Sequence, residues 1–276
     1  MDSLGAIVAD LIDNLDVELQ EKRTRVELAP EVLADLRAAA SGRPSRRAAA
    51  APDAGAAPAQ QPSDSAAAPA PAAPPPAAAV DPADDSLDRI VGEVAACQRC
   101  QLHALRTNPV TGTGPLQPDV MFIGEAPGAD EDQQGIPFVG RAGQLLGKMI
   151  EAMGYDREEV FITNIVKCRP PKNRNPEAFE VEACLPFLKR QIALVKPKTI
   201  VLMGGIGIQA LLGTKGPVGS VRGRWTTFEN IPVMPTFHPA YLIRMPTAKV
   251  AAWADLRLVL KHLGRTPPSR NQSPEQ

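Results

Sequence analysis

Aromatic residues, histidines and cysteines are scarce in this sequence. Its 276 residues include 2 Trp, 2 Tyr, 7 Phe, 3 His and 4 Cys. No apolar run is long enough to cross a membrane, and the N-terminus lacks the basic start and continuous apolar core of a signal peptide. We therefore expect a protein that neither spans a membrane nor is exported. Structural disulfides are disfavoured in such a protein.

A long segment near the N-terminus has few side chains with which to build a core. Residues 38–86 consist almost entirely of Ala, Pro, Ser and Gly, with no aromatic residue. So little apolar surface cannot offset the entropy lost on ordering, and the repeated prolines break any helix. We predict a disordered Ala/Pro-rich linker, partly in the polyproline II conformation.

Residues 1–37, before this linker, show the period of an amphipathic helix. The apolar residues of one face are Leu4, Ile7, Val8, Leu11, Ile12 and Leu15. An isolated amphipathic helix needs a partner surface. Because its polar face is acidic rather than basic, docking on a protein or self-association is favoured over binding to a membrane surface.

Charge is distributed unevenly, although the net charge is only −1. Residues 87–264 contain 21 Lys and Arg against 16 Asp and Glu, so the flanking segments carry the acidic excess. A mildly basic region permits an anionic partner without requiring one. Residues 87–264 have the length of a single domain, and we expect residues 265–276 to form a disordered tail.

Apolar, β-branched runs alternate with helical patterns between residues 87 and 264. The strand-like runs are DVMFIG, VFITNIVK, TIVLMGG, RWTTF and IPVMPTF. Such an alternation predicts an α/β fold with a parallel sheet that helices cover on both faces. Ligands of these sheets bind beyond the carboxyl ends of the strands. The segments predicted to lie there are the GEAPG loop, the TN that ends FITN, and FHPAYLIR.

The loop from Gly124 to Gly140 lies between a strand and a helix, as a phosphate-binding loop does. It has no Gly-Lys-Ser/Thr, which a phosphate cradle requires. Its acidic residues are Glu125, Asp130, Glu131 and Asp132. We therefore expect this loop to bind something other than phosphate.

The four cysteines are Cys97, Cys100, Cys168 and Cys184. The first two form a C-x-x-C pair, whereas the other two are widely spaced. A zinc site with four cysteines usually has a second short pair, but an iron–sulfur cluster tolerates irregular spacing because it is larger than one ion. Spacing favours a metal centre, either zinc or a cluster, over unrelated buried cysteines.

Three side chains at the predicted rim each allow a structural and a functional interpretation. A histidine such as His238, taken by itself, is more often structural than catalytic. Phe138 can pack on the following helix. Asn164 needs hydrogen-bond partners, either from the backbone or from a ligand. Together, however, they suit a flat heterocycle with carbonyl and N–H edges. Enzymes that act on a flipped base hold it by aromatic stacking and by hydrogen bonds of this kind.

Several motifs together resemble the family-4, iron–sulfur uracil-DNA glycosylases. They are GEAPGADED…GIPFVGRAGQLL, FITNIVKCRPPKNRNP, the C-x-x-C with its spaced pair, and HPAYLIR. The resemblance implies a three-layer α/β/α fold with a central, mainly parallel four-stranded sheet. It implies excision of uracil from DNA by a monomeric domain, in the cytoplasm and at the nucleoid of a bacterium. The N-terminal helix would then tether the enzyme to a repair or replication protein.

The resemblance also implies a role for each matching residue. A [4Fe–4S] cluster would be held by Cys97, Cys100, Cys168 and Cys184. The residues expected to contact uracil are Gly124, Pro127, Gly128, Glu131, Phe138 and Asn164, with Phe138 stacked on the ring and Glu131 beside C5. His238 would donate to uracil O2. Because Ala126 stands where family-1 enzymes have a catalytic Asp, Glu125 is the nearest carboxylate for the water or the sugar cation.

The residues expected to contact DNA follow the same motifs. Leu242 and Arg244 are candidates to fill the gap left by the flipped nucleotide and to bind phosphate. Further candidate phosphate contacts are Arg141, Lys167, Arg169, Lys172 and Arg174, although a solvated basic face is the alternative.

Two rival hypotheses follow from the same motifs. A related branch forms a covalent adduct through a histidine, but the segment KCRPPKNRN contains none. The other rival is a metal-bearing nucleic-acid-binding protein without activity. The presence of His238, Asn164 and Phe138 argues against it, because a pure binder does not need all three.

Overall fold

The computed structural model describes residues 84–268. The predicted N-terminal helical segment, nearly all of the predicted linker and most of the predicted tail lie outside the described residues. No helix between residues 84 and 268 has the length and hydropathy needed to span a bilayer.

A five-stranded sheet forms the centre of the described chain. Its strands are β1 (Val120–Gly124), β2 (Phe161–Asn164), β3 (Thr199–Met203), β4 (Thr226–Phe228) and β5 (Ile231–Thr236). The order is β2-β1-β3-β5-β4, and every neighbouring pair is parallel except β4 with β5. The predicted mainly parallel sheet is confirmed.

The prediction of four strands is corrected by the edge strand β4. It pairs with β5 through a tight turn at Glu229 and Asn230, which both have positive φ. A two-residue turn of this kind joins antiparallel strands directly, without a crossover helix. The run RWTTF therefore adds a short antiparallel edge to the four parallel strands.

Helices cover both faces of the sheet, as predicted. The α-helices among the described residues are α1 (Leu87–Ala96), α2 (Ala129–Gln134), α3 (Arg141–Ala152), α4 (Ala178–Val195), α5 (Gly205–Leu212), α6 (Val218–Val221), α7 (Pro239–Arg244) and α8 (Lys249–His262). Residues of α1, α4 and α5 pack on one face and residues of α3 and α8 on the other.

Strand alternation explains the two cores. In β1, Met121 and Ile123 join the cluster with α1, α4 and α5, whereas Val120 and Phe122 join the cluster with α3 and α8. Successive side chains of a strand point to opposite faces, so a strand buried on both sides is apolar throughout. For this reason, the parallel strands are continuous apolar runs in the sequence.

The ordered domain extends slightly beyond the predicted boundaries of residues 87–264. Asp85, in the predicted linker, pairs with Arg190 of α4 at 2.7 Å. Arg265, in the predicted tail, lies over the ring of Tyr155 at 4.1 Å and donates to the Gly154 carbonyl. Charged side chains next to each boundary therefore fasten the chain ends to the domain.

An ion pair with a buried carboxylate fixes the end of β5. Asp255 of α8 is 1% exposed, pairs with Arg222, and accepts a hydrogen bond from the Thr236 hydroxyl at 2.7 Å. Burial raises the pKa of Asp255, and these two contacts oppose the rise. The pair thereby holds the strand end from which His238 follows.

We expect Asp255→Ala to lower the free energy of unfolding by about 3 kcal/mol, because it leaves the Arg222 charge without its buried partner. Urea denaturation would measure the change. Arg89→Ala is the matched control, because Arg89 pairs with Glu93 at the surface and such pairs contribute under about 1 kcal/mol. Equal losses in the two variants would contradict this account.

Candidate active site

A cavity of about 760 Å³ lies beyond the carboxyl ends of β1, β2, β3 and β5. Parallel α/β sheets bind ligands at this edge, where the strand order reverses. The predicted site residues that line it are Glu125, Pro127, Gly128, Glu131, Phe138, Asn164, Arg174, His238 and Arg244. The structure thus brings together residues that lie more than 100 positions apart in the sequence.

Glu125 follows β1 directly, and the turn after β3 holds its carboxylate. The Ile206 amide donates to Glu125 Oε1 at 3.3 Å. Burial raises the pKa of Glu125, whereas the amides of Ile206 and Gly205 and the charge of Arg244 oppose the rise. A half-buried carboxyl with a raised pKa is suited to general acid–base or electrostatic work.

His238 is the N-cap residue of α7, where the strand β5 has ended. Its Nδ1 accepts a hydrogen bond from the Ala240 amide at 3.2 Å. Burial, and then the nearby Arg244 charge, lower the pKa of His238 to about 4. The imidazole is therefore neutral at pH 7, and because Nδ1 accepts, its proton lies on Nε2.

Asn164 ends β2 and presents an unpaired oxygen at the cavity. The residue is 1% exposed, and its Oδ1 has no hydrogen-bond partner among the described residues. A buried polar atom without a partner costs free energy, so such an atom at a cavity wall indicates a ligand donor.

Gly124 and Phe138 fit closely around this amide. A Cβ at Gly124 would lie 2.5 Å from Asn164 Oδ1 and 2.5 Å from the Phe138 ring. Gly124 does not itself line the cavity, but only glycine permits this approach. Phe138 has a positive φ of 53°, a strained conformation for an aromatic residue. Its ring centroid lies 5.7 Å from that of His238.

Glu131 lines the cavity and also fastens two loops together. Its Oε2 accepts from the Gly128 amide at 3.1 Å, and its Oε1 accepts from the Val139 and Gly140 amides at 2.9 Å each. The carboxylate thus ties the backbone at Gly128 to the backbone that directly follows Phe138. This supporting role was not predicted, and the predicted place beside C5 of a base remains a prediction.

The prediction that Lys167 contacts DNA phosphate is wrong. Its side chain is fully buried, and Nζ donates to Thr163 Oγ1, the Asn164 carbonyl and Gln191 Oε1 at 2.6–2.8 Å. Burial lowers its pKa to about 7. The side chain points into the domain because β2 and its continuation are buried on both faces.

The prediction that Leu242 fills a gap in DNA is also wrong for this structure. Leu242 is 1% exposed. In the helix α7 it lies on the side that packs into the domain, so it does not face the cavity.

The other predicted DNA contacts differ in their position. Arg244 and Arg174 line the cavity, and Arg174 also pairs with the buried Glu180 at 2.7 Å. Arg141 and Lys172 are exposed outside the cavity wall. Arg169 donates to Asn173 Oδ1 at 2.8 Å.

Several cavity residues were missed from the sequence. They are Ala142, Pro170, Asn173, Asn175, Pro176, Gly204, Gly205, Pro217, Val218 and Gly219, whereas Ala126, Phe237, Ala240 and Tyr241 lie in the two predicted rim segments GEAPG and FHPAYLIR. The Gly-Gly pair after the run TIVLM was a visible signal, because it ends a buried strand at the ligand-binding edge. No local signal marks Pro217–Gly219, which only the fold brings to the site.

The four cysteines line one smaller cavity on the side of α1 and α4. The other residues that line it are Val94, Arg99, His103, Arg106, Val166, Ala183 and Phe187. Arg106 donates to Cys168 Sγ at 3.0 Å, and the Lys167 amide donates to Cys184 Sγ at 3.3 Å. The cysteines form no disulfide.

The four thiols line a shared cavity and do not converge on one position where a single metal ion could bind. Among the described residues, no group of three or more His, Cys, Asp or Glu side chains is placed to hold one metal ion. Burial raises the pKa of Cys184 to about 12, so binding a metal there must release its proton. Four thiols around a shared cavity, with N–H donors and arginines beside them, fit a group larger than one ion.

Comparison with known proteins identifies the family of this site. Residues 111–257 match the model of the uracil DNA glycosylase superfamily. The chain is 44% identical over 192 residues to a type-4 uracil-DNA glycosylase of Sulfurisphaera tokodaii, covering 66% of this chain and 87% of that protein.

Two further relatives agree with this result. The chain is 38% identical over 196 residues to a type-4 uracil-DNA glycosylase of Archaeoglobus fulgidus, covering 67% of this chain and 97% of that protein. It is 45% identical over 165 residues to that of Thermotoga maritima, covering 58% of this chain and 85% of that protein. The chain therefore belongs to the uracil DNA glycosylase superfamily and, within it, to the type-4 uracil-DNA glycosylases.

Proposed function

We propose that this protein hydrolyses the N-glycosidic bond of deoxyuridine in DNA, releasing uracil and leaving an abasic site for base-excision repair. The single observation that carries the proposal is the unpaired Asn164 Oδ1 in a cavity that also holds a neutral His238. An amide that both accepts and donates matches the N3–H and O4 edge of uracil. Cytosine presents the opposite pattern, so it would leave the buried amide unsatisfied.

His238 stabilises the negative charge of the leaving base. Uracil departs as an anion while the deoxyribose becomes an oxocarbenium-like cation, so catalysis consists of stabilising separated charge. A neutral imidazole with its proton on Nε2 donates to uracil O2 as charge develops there. Phe138 stacks on the ring, and the backbone from Glu125 to Gly128, which lines the cavity, contacts the base.

Glu125 stabilises the positive charge that develops on the deoxyribose. Its carboxylate is the acidic group that follows β1, and Ala126 offers none. In the ionised form it stabilises the sugar cation and positions the attacking water. Protonation of Glu125 at low pH removes this contribution. Because the pKa of Glu125 is raised, we expect activity to fall at a higher pH than the pH at which an exposed Glu is protonated.

We expect Gly204→Ala to lower the rate of uracil release by about 10²-fold, because a Cβ there would clash with Glu125 Oε1 and displace the carboxylate. Single-turnover assays would measure the rate. Gly213→Ala is the matched control: Gly213 also has a positive φ, of 65°, but a Cβ there meets no atom within 4 Å. Similar rates in the two variants would contradict a positioning role for Gly204.

A [4Fe–4S] cluster is the group that we propose for the cysteine cavity, held by Cys97, Cys100, Cys168 and Cys184. When bound, it supplies a structural cross-link rather than a reactant, because hydrolysis transfers no electron. Cys97 and Cys100 follow α1, Cys168 follows β2 and Cys184 lies in α4. The cluster would therefore join α1 and α4 to β2, the strand that carries Asn164.

We expect Cys184→Ser to lose the brown colour and iron of anaerobically purified protein, because one of four thiolate ligands is missing. Iron and sulfide assays would measure the loss, and urea denaturation would show a lower free energy of unfolding. A colourless wild-type protein that contains zinc instead of iron would contradict the cluster.

Contacts with DNA phosphate are proposed for the exposed Arg141, Lys172, Arg174 and Arg244 and for the partly exposed Arg169. Binding should weaken as salt rises, since each neutralised phosphate releases a counterion. Because the substrate is uracil-containing DNA, we propose that the protein works in the cytoplasm, at the nucleoid of a bacterium. A tether to a repair or replication protein through residues 1–37, and a monomeric domain, remain proposals.

Hydrolysis can be distinguished from both rival functions in ¹⁸O-enriched water. Mass spectrometry should find one ¹⁸O in the abasic sugar and free uracil without the label. A protein–DNA adduct that survives denaturation would indicate covalent chemistry. DNA binding without any product would indicate an inactive binding protein, and either outcome would overturn the proposal.

A further inference from the structure

Burial of Leu242 leaves open which side chain contacts the DNA next to the flipped nucleotide. His238, Tyr241 and Arg244 are spaced by three residues and all line the cavity, whereas Leu242 is buried. Residues i and i+3 of a helix lie on the same face. The helix α7 therefore presents Tyr241 on the same face as the catalytic histidine, one turn further along.

Tyr241 stands at one end of a stack of flat side chains. Its ring lies 4.9 Å from the Phe237 ring at 28°, and the Arg222 guanidinium lies 5.5 Å from the centre of Phe237. Arg222 is itself held by the buried carboxylate of Asp255. The Tyr241 ring is thus supported by Phe237, Phe237 by Arg222, and Arg222 by the buried Asp255, so Tyr241 is pre-organised.

The stack ends in the cavity wall rather than in the core. Phe237 and Tyr241 are both partly exposed and both line the cavity. Its volume of about 760 Å³ lies toward the upper end of the range for drug-sized ligands, which leaves space beside a single pyrimidine. An aromatic side chain kept partly exposed at a nucleic-acid site is suited to stack on a base, since every base has a π-face.

We propose that Tyr241 stacks on the nucleobase adjacent to the extruded deoxyuridine and so holds the DNA open at the site. This inference rests on the proposed glycosylase function. It replaces Leu242 with Tyr241 as the residue that contacts the gap, and it assigns Phe237 and Arg222 as the groups that position Tyr241.

The test is a coupling experiment between the side chain and the neighbouring base. Wild type, Tyr241→Ala and Tyr241→Phe would be assayed for kcat/KM on single-uracil oligonucleotides. In matched substrates, the base on the 5′ side or the 3′ side of the uracil is replaced by a tetrahydrofuran abasic analogue.

Wild type and Tyr241→Phe should lose roughly 5- to 150-fold when the stacked neighbour is removed, the range expected for one base–aromatic contact. Tyr241→Ala should be slower on the normal substrate by a similar factor and insensitive to that removal. The side that shows the coupling identifies the stacked base. Trp225→Ala, an aromatic variant outside the cavity wall, should retain the wild-type dependence.

Two results would overturn the proposal. One is a wild-type rate of Tyr241→Ala on the normal substrate, and the other is a Tyr241→Ala whose loss is the same on all substrates, so that it remains as sensitive as wild type to the missing neighbour. Failure of the glycosylase function itself is recognised separately, because the wild type would then release no uracil from the normal substrate.

Discussion

Replacement of His238 by alanine is expected to lower the single-turnover rate of uracil release by about 10²- to 10³-fold, as loss of one donor to a developing anion does in other enzymes. Affinity for uracil-containing DNA should change much less, because the lost hydrogen bond strengthens only as charge builds on the base. Quenched-flow measurement of the rate and a separate binding titration would distinguish the two quantities.

The pH dependence of uracil release by the wild type provides a second test. Because the pKa of His238 lies at about 4, the imidazole is neutral throughout the range from pH 5 to 9, and its contribution should not titrate there. The acid limb of the wild-type profile should instead follow the raised pKa of Glu125 and disappear in Glu125→Gln. His262→Ala is the control for removal of a histidine outside the cavity. An activity that requires protonated histidine near pH 6.5 would contradict the neutral donor.

Replacement of Asn164 by aspartate is expected to reduce uracil release by about 10⁴-fold, the scale on which a buried hydrogen-bonding group discriminates between substrates. A carboxylate accepts hydrogen bonds but does not donate them. It therefore cannot donate to uracil O4, and its oxygen repels that oxygen. The same carboxylate can accept from the amino group of cytosine, so slow release of cytosine should become detectable. Liquid chromatography of the released bases would measure both products.

The matched control for this variant is Asn175→Asp. Asn175 also lines the cavity but is exposed, so the same chemical change there should alter the rate by less than about tenfold. Wild-type uracil release by Asn164→Asp would show that the unpaired Oδ1 does not contact the base.

The sequence predicted the features that depend on pattern and on strand ends. Continuous apolar runs placed Gly124, Asn164 and His238 at the ends of buried parallel strands, and a parallel sheet brings all such ends to one edge. The convergence of Asn164 and His238 therefore followed from topology alone, whereas Phe138 lies in the loop that joins the first two helices after β1. Their roles and the cysteine ligand set came from the resemblance to a family, because spacing alone left zinc and a cluster both open.

The errors concern the direction in which single side chains point. Lys167 was predicted as a surface cation, yet the buried acceptors Thr163 and Gln191 enclose its ammonium group. Leu242 and Tyr241 are neighbours in sequence, and only the rotation of the helix α7 decides which of them faces the cavity. Likewise, the contact of Gly204 with Glu125 joins strands β3 and β1, which no local pattern reveals.

The most direct test of the account is cleavage of a labelled oligonucleotide that carries one uracil, using anaerobically purified protein with its full brown colour. After alkali treatment, we predict a break at the uracil and none at cytosine or thymine, with the break strongly reduced for His238→Ala. Binding of this DNA without any break at the uracil would contradict the assignment of the cavity as a uracil-excising site.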